Sequence, residues 1–329
     1  MITIVGEALI HLARTADAGM LRASPGGNAL NVAVATARLG YPAALVARLS
    51  KDPYGQELRR YAEQNRVDLS GASDADEPTT IAIDSTGPAA GWPAVPGLHA
   101  RLYAGDASPG HWTPEDLAGL PRDTSVLHVG ALLWWDTPSV ARILRAVSRL
   151  RQRGAVVWLD LMVYPEMMKS PGQSRILLER LVTSADIIHA GADDMDWLYP
   201  GRAPEAVAGQ WLGLGPAMAI VTSRKGSMVV RESGSVMHWP PARPDQMIDG
   251  IGVKEAFAAV LLGGLHDRAR NGADVRLLPA SDLAQLLKVA TFAAGITGER
   301  PGADPPTAAE LDQRLAQLPG RRERLFMKR

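Results

Sequence analysis

The sequence predicts an α/β fold in which a central, mostly parallel sheet is flanked by helices. Three observations carry that expectation. Apolar runs of four to seven residues alternate along the chain with segments of helical period. Those runs are nearly continuous rather than alternating, as expected of strands covered on both faces. The chain has 329 residues and is 46% hydrophobic, enough for one large core.

In chain order, strands are expected at Ile2–Val5, Ala43–Leu49, Val126–Val129, Ala155–Leu159, Asp186–His189 and Met218–Thr222. Helices are expected at Asn28–Leu39, Tyr54–Asn65, Pro138–Arg153, Pro204–Leu212, Val253–Arg268 and Ser281–Gly298. One stretch breaks the rhythm. From about Glu77 to Pro109 the chain is rich in Gly and Pro, with short alternating pieces at Thr80–Asp84 and Leu98–Tyr103. It reads as an antiparallel excursion forming a lid over residues 77–109, with the segment 11–23 as a pairing partner. The whole chain, 1–329, is otherwise one domain.

Formal net charge is zero, which gives no global electrostatic case for nucleic acid or an anionic membrane. The basic tail Arg321–Arg329 reads as a solvated end. Cysteine is absent, which removes disulfides, thiolate nucleophiles and Cys-ligated zinc and fits a cytoplasmic protein. The N-terminus has no positive region and no long apolar stretch, so it reads as a first strand rather than a signal peptide. No run approaches the ~18 apolar residues of a membrane span. The chain also lacks a G-x-x-x-x-G-K-S/T phosphate loop, an H-E-x-x-H pair and a G-x-S-x-G elbow. The seven histidines are scattered without ligand spacing.

Three segments carry chemistry. In Ser24-Pro-Gly-Gly-Asn-Ala-Leu-Asn31, Gly26 and Gly27 allow a tight turn and leave room for a ligand against the backbone. Asn28 stands near the N-cap of a periodic helix, with Asn31 one turn on. Bare N–H groups and Asn amides suit a ligand rich in hydroxyls, although an ordinary loop-to-helix turn has the same pattern. The second segment, Met247-Ile-Asp-Gly-Ile-Gly-Val-Lys-Glu-Ala-Phe257, opens a helix with apolar positions Phe257, Val260, Leu261 and Leu265. Its N-terminus would attract an anion. The third is the tail Arg300-Pro-Gly-Ala-Asp-Pro-Pro-Thr307.

In order and spacing these segments resemble the PfkB family of ribokinase-like carbohydrate kinases, especially its fructokinase-like members. Gly6-Glu-Ala-Leu-Ile10, Asp52, Gly55, Val67-Asp68, Pro78-Thr79-Thr80, Ala185-Asp186 and Val221-Thr222 extend the match to about residues 1–310. The resemblance implies a ribokinase-like α/β fold with a small β lid, a homodimer through that lid, and transfer of phosphoryl from MgATP to a sugar or nucleoside hydroxyl. It implies a sugar site at His11, Gly26, Gly27, Asn28, Asn31, Asp160 and Tyr164. It implies a nucleotide side at Asp194, Thr222, Arg224, Asp249 and Gly250, with Asp194 also serving magnesium. Gly252, Lys254 and Glu255 would be catalytic.

Several positions depart from the family pattern. Asp-Thr-x-Gly-Ala-Gly-Asp is here Asp249-Gly-Ile-Gly-Val-Lys-Glu255, with Lys254 on a glycine and Glu255 at the general base. Glu255 keeps a carboxylate, but its extra methylene moves the oxygens by more than ~1 Å unless the backbone retreats, and such a shift can cost ~10²-fold in rate. The Lys254 ammonium could stabilise phosphoryl charge, fill the anion hole and pair with Glu255 or Asp249, or be solvated. His11 replaces an aspartate and cannot copy a bidentate carboxylate. Met162 and Tyr164 replace Asn and Arg after Asp160, and Gly191-Ala-Asp-Asp194 replaces Asn-x-x-Glu.

Positions that shape the backbone are kept, whereas positions that bring charge to substrate are mostly altered. Three readings stay open: a kinase, a pseudokinase that binds a metabolite without transfer, and an enzyme of another class on the same fold. Trp134 and Trp135, just past a strand end, read first as core packing and second as a stacking face for a ligand.

Overall fold

The computed structural model describes residues 1–14, 20–84, 100–103, 112–130, 137–164, 168, 170–272, 274 and 277–317. Trp134, Trp135 and the tail Arg321–Arg329 lie outside the described residues.

The main sheet has eight strands: β1 (Ile2–Val5), β4 (Ala43–Val46), β9 (Val126–Val129), β10 (Val156–Leu161), β11 (Ile187–Gly191), β12 (Met218–Ser223), β13 (Gly226–Arg231) and β14 (Val236–Trp239). Their order is β14-β13-β12-β11-β10-β9-β1-β4. The ladders from β4 to β12 are parallel, and β13 and β14 add antiparallel pairs at one edge. The expected single strand over Ala43–Leu49 is two. After Val46 the chain leaves the main sheet, and β5 (Arg48–Ser50) pairs in parallel with β6 (Ser73–Ala75).

Helices cover both faces. One face packs α1 (Asn28–Arg38), α7 (Val253–Arg270) and α8 (Ala280–Gly298) against Ile2, Ile4, Val126 and Trp158. The other packs α3 (Thr137–Arg151), α4 (Pro171–Val182), α5 (Ala192–Leu198) and α6 (Pro204–Leu212) against Val5, Leu127, Val157 and Leu159. The period of two along β10 sends Trp158 to the first face and Leu159 to the second. Asp160 is the next residue in register with Trp158, so the same alternation aims it at α1 and α7. Each large apolar side chain taken fully inside contributes about 1.5–3 kcal/mol, and Leu45, Trp158, Val260 and Leu287 are all fully buried.

Helix starts follow local chemistry. Asp52 Oδ1 accepts from Gly55 N at 2.7 Å at the head of α2 (Pro53–Gln64). Thr307 and Glu310 form a capping box on α9 (Ala308–Ala316). Helices α4, α5 and α9 were not among the expected ones. Among the described residues, no helix is long and apolar enough to cross a membrane.

A second sheet stands apart from the main one, in the order β3-β2-β7-β8. Its strands are β2 (Leu9–Arg14), β3 (Leu21–Gly26), β7 (Ile81–Asp84) and β8 (Ala100–Tyr103). Segment 11–23 does supply two of these strands. Within 77–109 the pair β7–β8 is antiparallel, as is β2–β3, whereas β2 and β7 run parallel between them. A long connection, rather than a hairpin, joins β2 to β7 in sequence, which permits the parallel pairing.

Candidate active site

Two glycine-capped helix starts face this end of the main sheet. Gly27 precedes α1 with φ 104°, and a Cβ there would lie 2.8 Å from Glu7 O. Gly252 precedes α7 with φ 82°, and a Cβ there would lie 2.8 Å from Ala303 Cα. Both positions therefore demand glycine on conformation and on space. Asn28 stands next to the cap of α1, as expected. It is the first helical residue rather than the cap, and its N–H donates to Glu7 Oε1 at 2.8 Å. Glu7 is buried at 1% exposure.

The Asn28 amide ties the two helices together. Its Nδ2 donates to Glu255 Oε1 at 3.1 Å and to Asp160 Oδ2 at 3.2 Å. Lys254 turns inward. Its Nζ lies 2.9 Å from Asp160 Oδ1 and donates to Leu161 O at 2.6 Å. Of the three roles open to Lys254, solvation is excluded, and its carboxylate partner is Asp160 rather than Glu255 or Asp249. His128 Nε2 meets Asp160 Oδ2 at 3.3 Å, and His189 Nδ1 lies 3.3 Å from Asp160 Oδ1. Asp160, His128 and His189 have no exposed surface.

The electrostatics follow from burial and pairing. Burial alone would raise Asp160's pKa, but the Lys254 ammonium and the two histidines hold it well below the usual carboxylate range. Burial would lower Lys254, and Asp160 with Asp194 raises it instead, so the lysine stays charged. Burial pushes Glu255 up, helped by the Asp160 charge, against the pull of Lys254 and the Asn28 hydrogen bond. A carboxyl raised in this way is a stronger base than an ordinary carboxylate. Burial lowers His189, which keeps it neutral.

The other expected site residues are placed as follows. His11 lies on β2, and its ring packs against Gly26, where a Cβ would come within 2.2 Å of His11 Cδ2. Asn31 is buried and its N–H donates to Gly27 O at 2.9 Å. Tyr164 is half-buried, with its hydroxyl 2.8 Å from Met162 Sδ. Asp160, expected on the substrate side, is fully buried, with Asn28 and His128 on Oδ2 and Lys254 and His189 beside Oδ1.

Asp194 caps α5. Its Oδ1 accepts from Val163 N at 2.8 Å and its Oδ2 from Gly191 N at 3.2 Å, and burial pushes its pKa up. Thr222 Oγ1 lies 3.4 Å from His189 Nε2. Arg224 is exposed in the turn between β12 and β13, and Gly250 is exposed beside α7. Asp249 joins three segments: its oxygens accept from Ile251 N at 3.0 Å and Gly302 N at 2.8 Å, and Arg22 of β3 lies 3.7 Å away. The tail motif thus buttresses the start of α7, through Gly302 on Asp249 and Ala303 against Gly252.

Sequence reasoning did not single out His128, His189 or the capping role of Glu7. The available signal was a single histidine inside each of two apolar strands that flank the strand of Asp160, legible only once the strand order is known.

This arrangement can hold a hydroxyl against Glu255 and an anion at the head of α7. The family model for the pfkB family carbohydrate kinases matches residues 1–309. Fructokinase of Klebsiella pneumoniae is 26% identical over 272 residues, covering 80% of this chain and 84% of that protein. The crystal structure of aminoimidazole riboside kinase from Salmonella enterica, complexed with aminoimidazole riboside and an ATP analogue, superposes with TM-score 0.80. It is 21% identical, covers 95% of this chain and 98% of its own, and shows the shared fold. A putative ribokinase II from E. coli in complex with ATP and Mg2+ gives TM-score 0.77 at 18% identity, covering 96% of this chain and 99% of its own. With a ribokinase-like fold from end to end and a family match over residues 1–309, the chain belongs to the pfkB family of carbohydrate kinases.

Proposed function

We propose that the protein transfers the γ-phosphoryl group of ATP to a hydroxyl of a sugar or nucleoside. The observation that carries this reading is the Asn28–Glu255 hydrogen bond of 3.1 Å. It sets the candidate base against the glycine turn that would hold the acceptor. In the proposed reaction the acceptor hydroxyl gives its proton to Glu255 as its oxygen bonds to the γ-phosphorus, and ADP leaves. Charge on the transferring group is met at the first turn of α7, where helical N–H groups lack intrahelical partners. Among the described hydrogen bonds none ends on the N–H of Gly252 or Lys254. The names of the relatives, a fructokinase and an aminoimidazole riboside kinase, support a furanose-like acceptor.

Magnesium would neutralise the nucleotide's phosphates. Among the described residues no group of three or more His, Cys, Asp or Glu is placed to hold a metal ion. Both Asp194 oxygens are engaged by backbone N–H groups. The residues present therefore fit an ion held by phosphate oxygens and water, with Asp194 steadying that water shell. Thr222, Arg224, Asp249 and Gly250 are the proposed nucleotide side. The second sheet is the proposed lid over His11, Gly26, Asn31 and Tyr164. Its edge strand β3, with Leu21 exposed, is the proposed homodimer contact, which sedimentation would register as twice the monomer mass.

A second reading, metabolite binding without transfer, is favoured by one observation. The Lys254 ammonium sits on Asp160 and Leu161 O rather than on the loop that would receive phosphate. Calorimetry with MgATP, then a coupled ADP-release assay over fructose, ribose and aminoimidazole riboside, separates the two. Binding at millimolar or tighter with ADP release on one acceptor supports transfer. Acceptor binding by a folded protein without ADP release supports the second reading.

A further inference from the structure

Asp160 has four nitrogen contacts contributed by four different elements. Asn28 Nδ2 (α1) and His128 Nε2 (β9) reach Oδ2 at 3.2 and 3.3 Å. Lys254 Nζ (α7) and His189 Nδ1 (β11) reach Oδ1 at 2.9 and 3.3 Å. The Asn28 and His128 contacts are hydrogen bonds to Oδ2, whereas Lys254 and His189 stand within ion-pair distance of Oδ1, which accepts no well-aligned hydrogen bond. Asp160 and Lys254 already pair as opposite charges without the histidines. What they add is geometry. Asp160 lies beside His189 in the β10–β11 register, and His128 lies opposite Trp158, two residues earlier, so both rings reach the carboxylate from the flanking strands. On the far side of His189, the Thr222 hydroxyl lies 3.4 Å from Nε2 and 3.4 Å from Ala190 O.

We propose that His128 and His189 are positioning residues: they hold the Asp160 carboxylate from both sides and thereby fix the seat of the Lys254 ammonium beside Glu255. Lys254 has a long flexible stem, and a single buried counter-charge free to turn about its Cβ–Cγ bond would leave the ammonium several seats. With Oδ2 hydrogen-bonded by His128 and the His189 ring beside Oδ1, the ammonium is directed to the site between Asp160 Oδ1 and Leu161 O. The stakes extend to Glu255, because the Lys254 charge opposes the burial that raises its pKa. A lysine that strays changes both the charge near the phosphoryl cradle and the proton affinity of the base.

The kinetic part of this inference rests on the phosphotransferase reading, but the deciding measurement does not. Reductive methylation of the intact protein, read by peptide mass spectrometry, compares Lys254 with exposed Lys51 as internal reference. Four variants are compared with the unaltered chain: His128→Leu, His189→Leu, His128→Gln and His189→Asn. Gln can place an amide N–H where Nε2 stood, and Asn where Nδ1 stood. The Leu variants are expected to raise Lys254 labelling relative to Lys51 by on the order of tenfold, with the Gln and Asn variants restoring most of the protection. In the ADP-release assay the Leu variants should lose up to ~10²-fold in kcat with little change in KM for ATP, the scale of a ~1 Å misplacement.

Should a Leu variant not fold, the Gln and Asn variants decide, since protection lost in both despite a retained donor overturns the proposal. Unchanged Lys254 labelling in a folded Leu variant overturns it as well. Absence of ADP release from the unaltered chain would count against the phosphotransferase reading alone, leaving the labelling result to stand.

Discussion

The two helix starts that follow a positive-φ glycine are built alike, but a carboxylate meets each of them at a different point. Gly27 before α1 and Gly252 before α7 both have positive φ, at 104° and 82°. Each leaves a first turn of backbone donors pointing out of the main sheet. At α1 two of those donors are met by Glu7, whose Oε1 takes Asn28 N at 2.8 Å and whose O takes Leu30 N at 3.3 Å, while no described hydrogen bond ends on Gly27 N or Ala29 N. At α7 Asp249 takes Ile251 N, but no described hydrogen bond ends on Gly252 N or Lys254 N. The difference lies in the carboxylate: Glu7 sits on the first turn of α1, whereas Asp249 meets the turn just before α7. The two joints meet through Asn28, whose amide spans Glu255 and Asp160.

Lys254→Met breaks this arrangement most severely. It leaves Asp160 buried with no cation, which should cost about 3–5 kcal/mol in urea unfolding. The double variant Lys254→Met/Asp160→Leu should recover much of that loss, because it removes both charges. A single variant as stable as the unaltered chain would mean the ion pair is not formed. The pH dependence sharpens the same point. Lys254 is raised in the folded state, so its share of stability is present below its unfolded pKa and lost only as pH rises past the folded value. Asp160 is depressed, so its share is present above its unfolded pKa and lost as pH falls through a value well below it. The pair should therefore support the fold across the whole range between ordinary carboxylate and lysine titration.

Glu7→Gln tests the other joint. It keeps an oxygen for Asn28 N but removes the charge, so a loss of about 0.5–1.5 kcal/mol is expected in thermal unfolding, at the scale of one hydrogen bond. An effect as large as that of Lys254→Met would show that Glu7 does more than cap. Arg22→Ala is the mildest change. The pair with Asp249 spans 3.7 Å with the arginine side chain 43% exposed, which is worth about 0–1 kcal/mol. A larger loss would indicate that the second sheet is fastened to the α7 loop more firmly than this contact provides.

What the sequence disclosed follows the same division. Strands such as Ile2–Val5 and Val126–Val129 are read to the residue, because uninterrupted apolar runs in a parallel sheet need no partner to be recognised. Leu21–Gly26 was not read as a separate strand, because half of it is exposed and its identity depends on pairing with Leu9–Arg14. Asn28, Lys254 and Glu255 were legible because their segments sit beside glycines at helix starts. Lys254's choice of Asp160 was not, since 93 residues separate Lys254 from the Leu161 carbonyl it also meets, and the contact exists only in the folded sheet. His128 and His189 were hidden for a related reason. Each stands alone in an apolar strand, and only the β9-β10-β11 order brings them to one carboxylate.

The most direct test is the rate of ADP release as a function of pH, for the unaltered chain and for Glu255→Gln, with MgATP and the acceptor selected by the panel. Glu255 must be ionised to take the hydroxyl proton, and burial raises its pKa. The unaltered chain should therefore gain rate with rising pH along a limb above the usual carboxylate range. Glu255→Gln should lack that limb and fall by ~10²–10⁴-fold while still binding MgATP. A Glu255→Gln variant that turns over as fast, with the same pH limb, would contradict the assignment of Glu255 as the base.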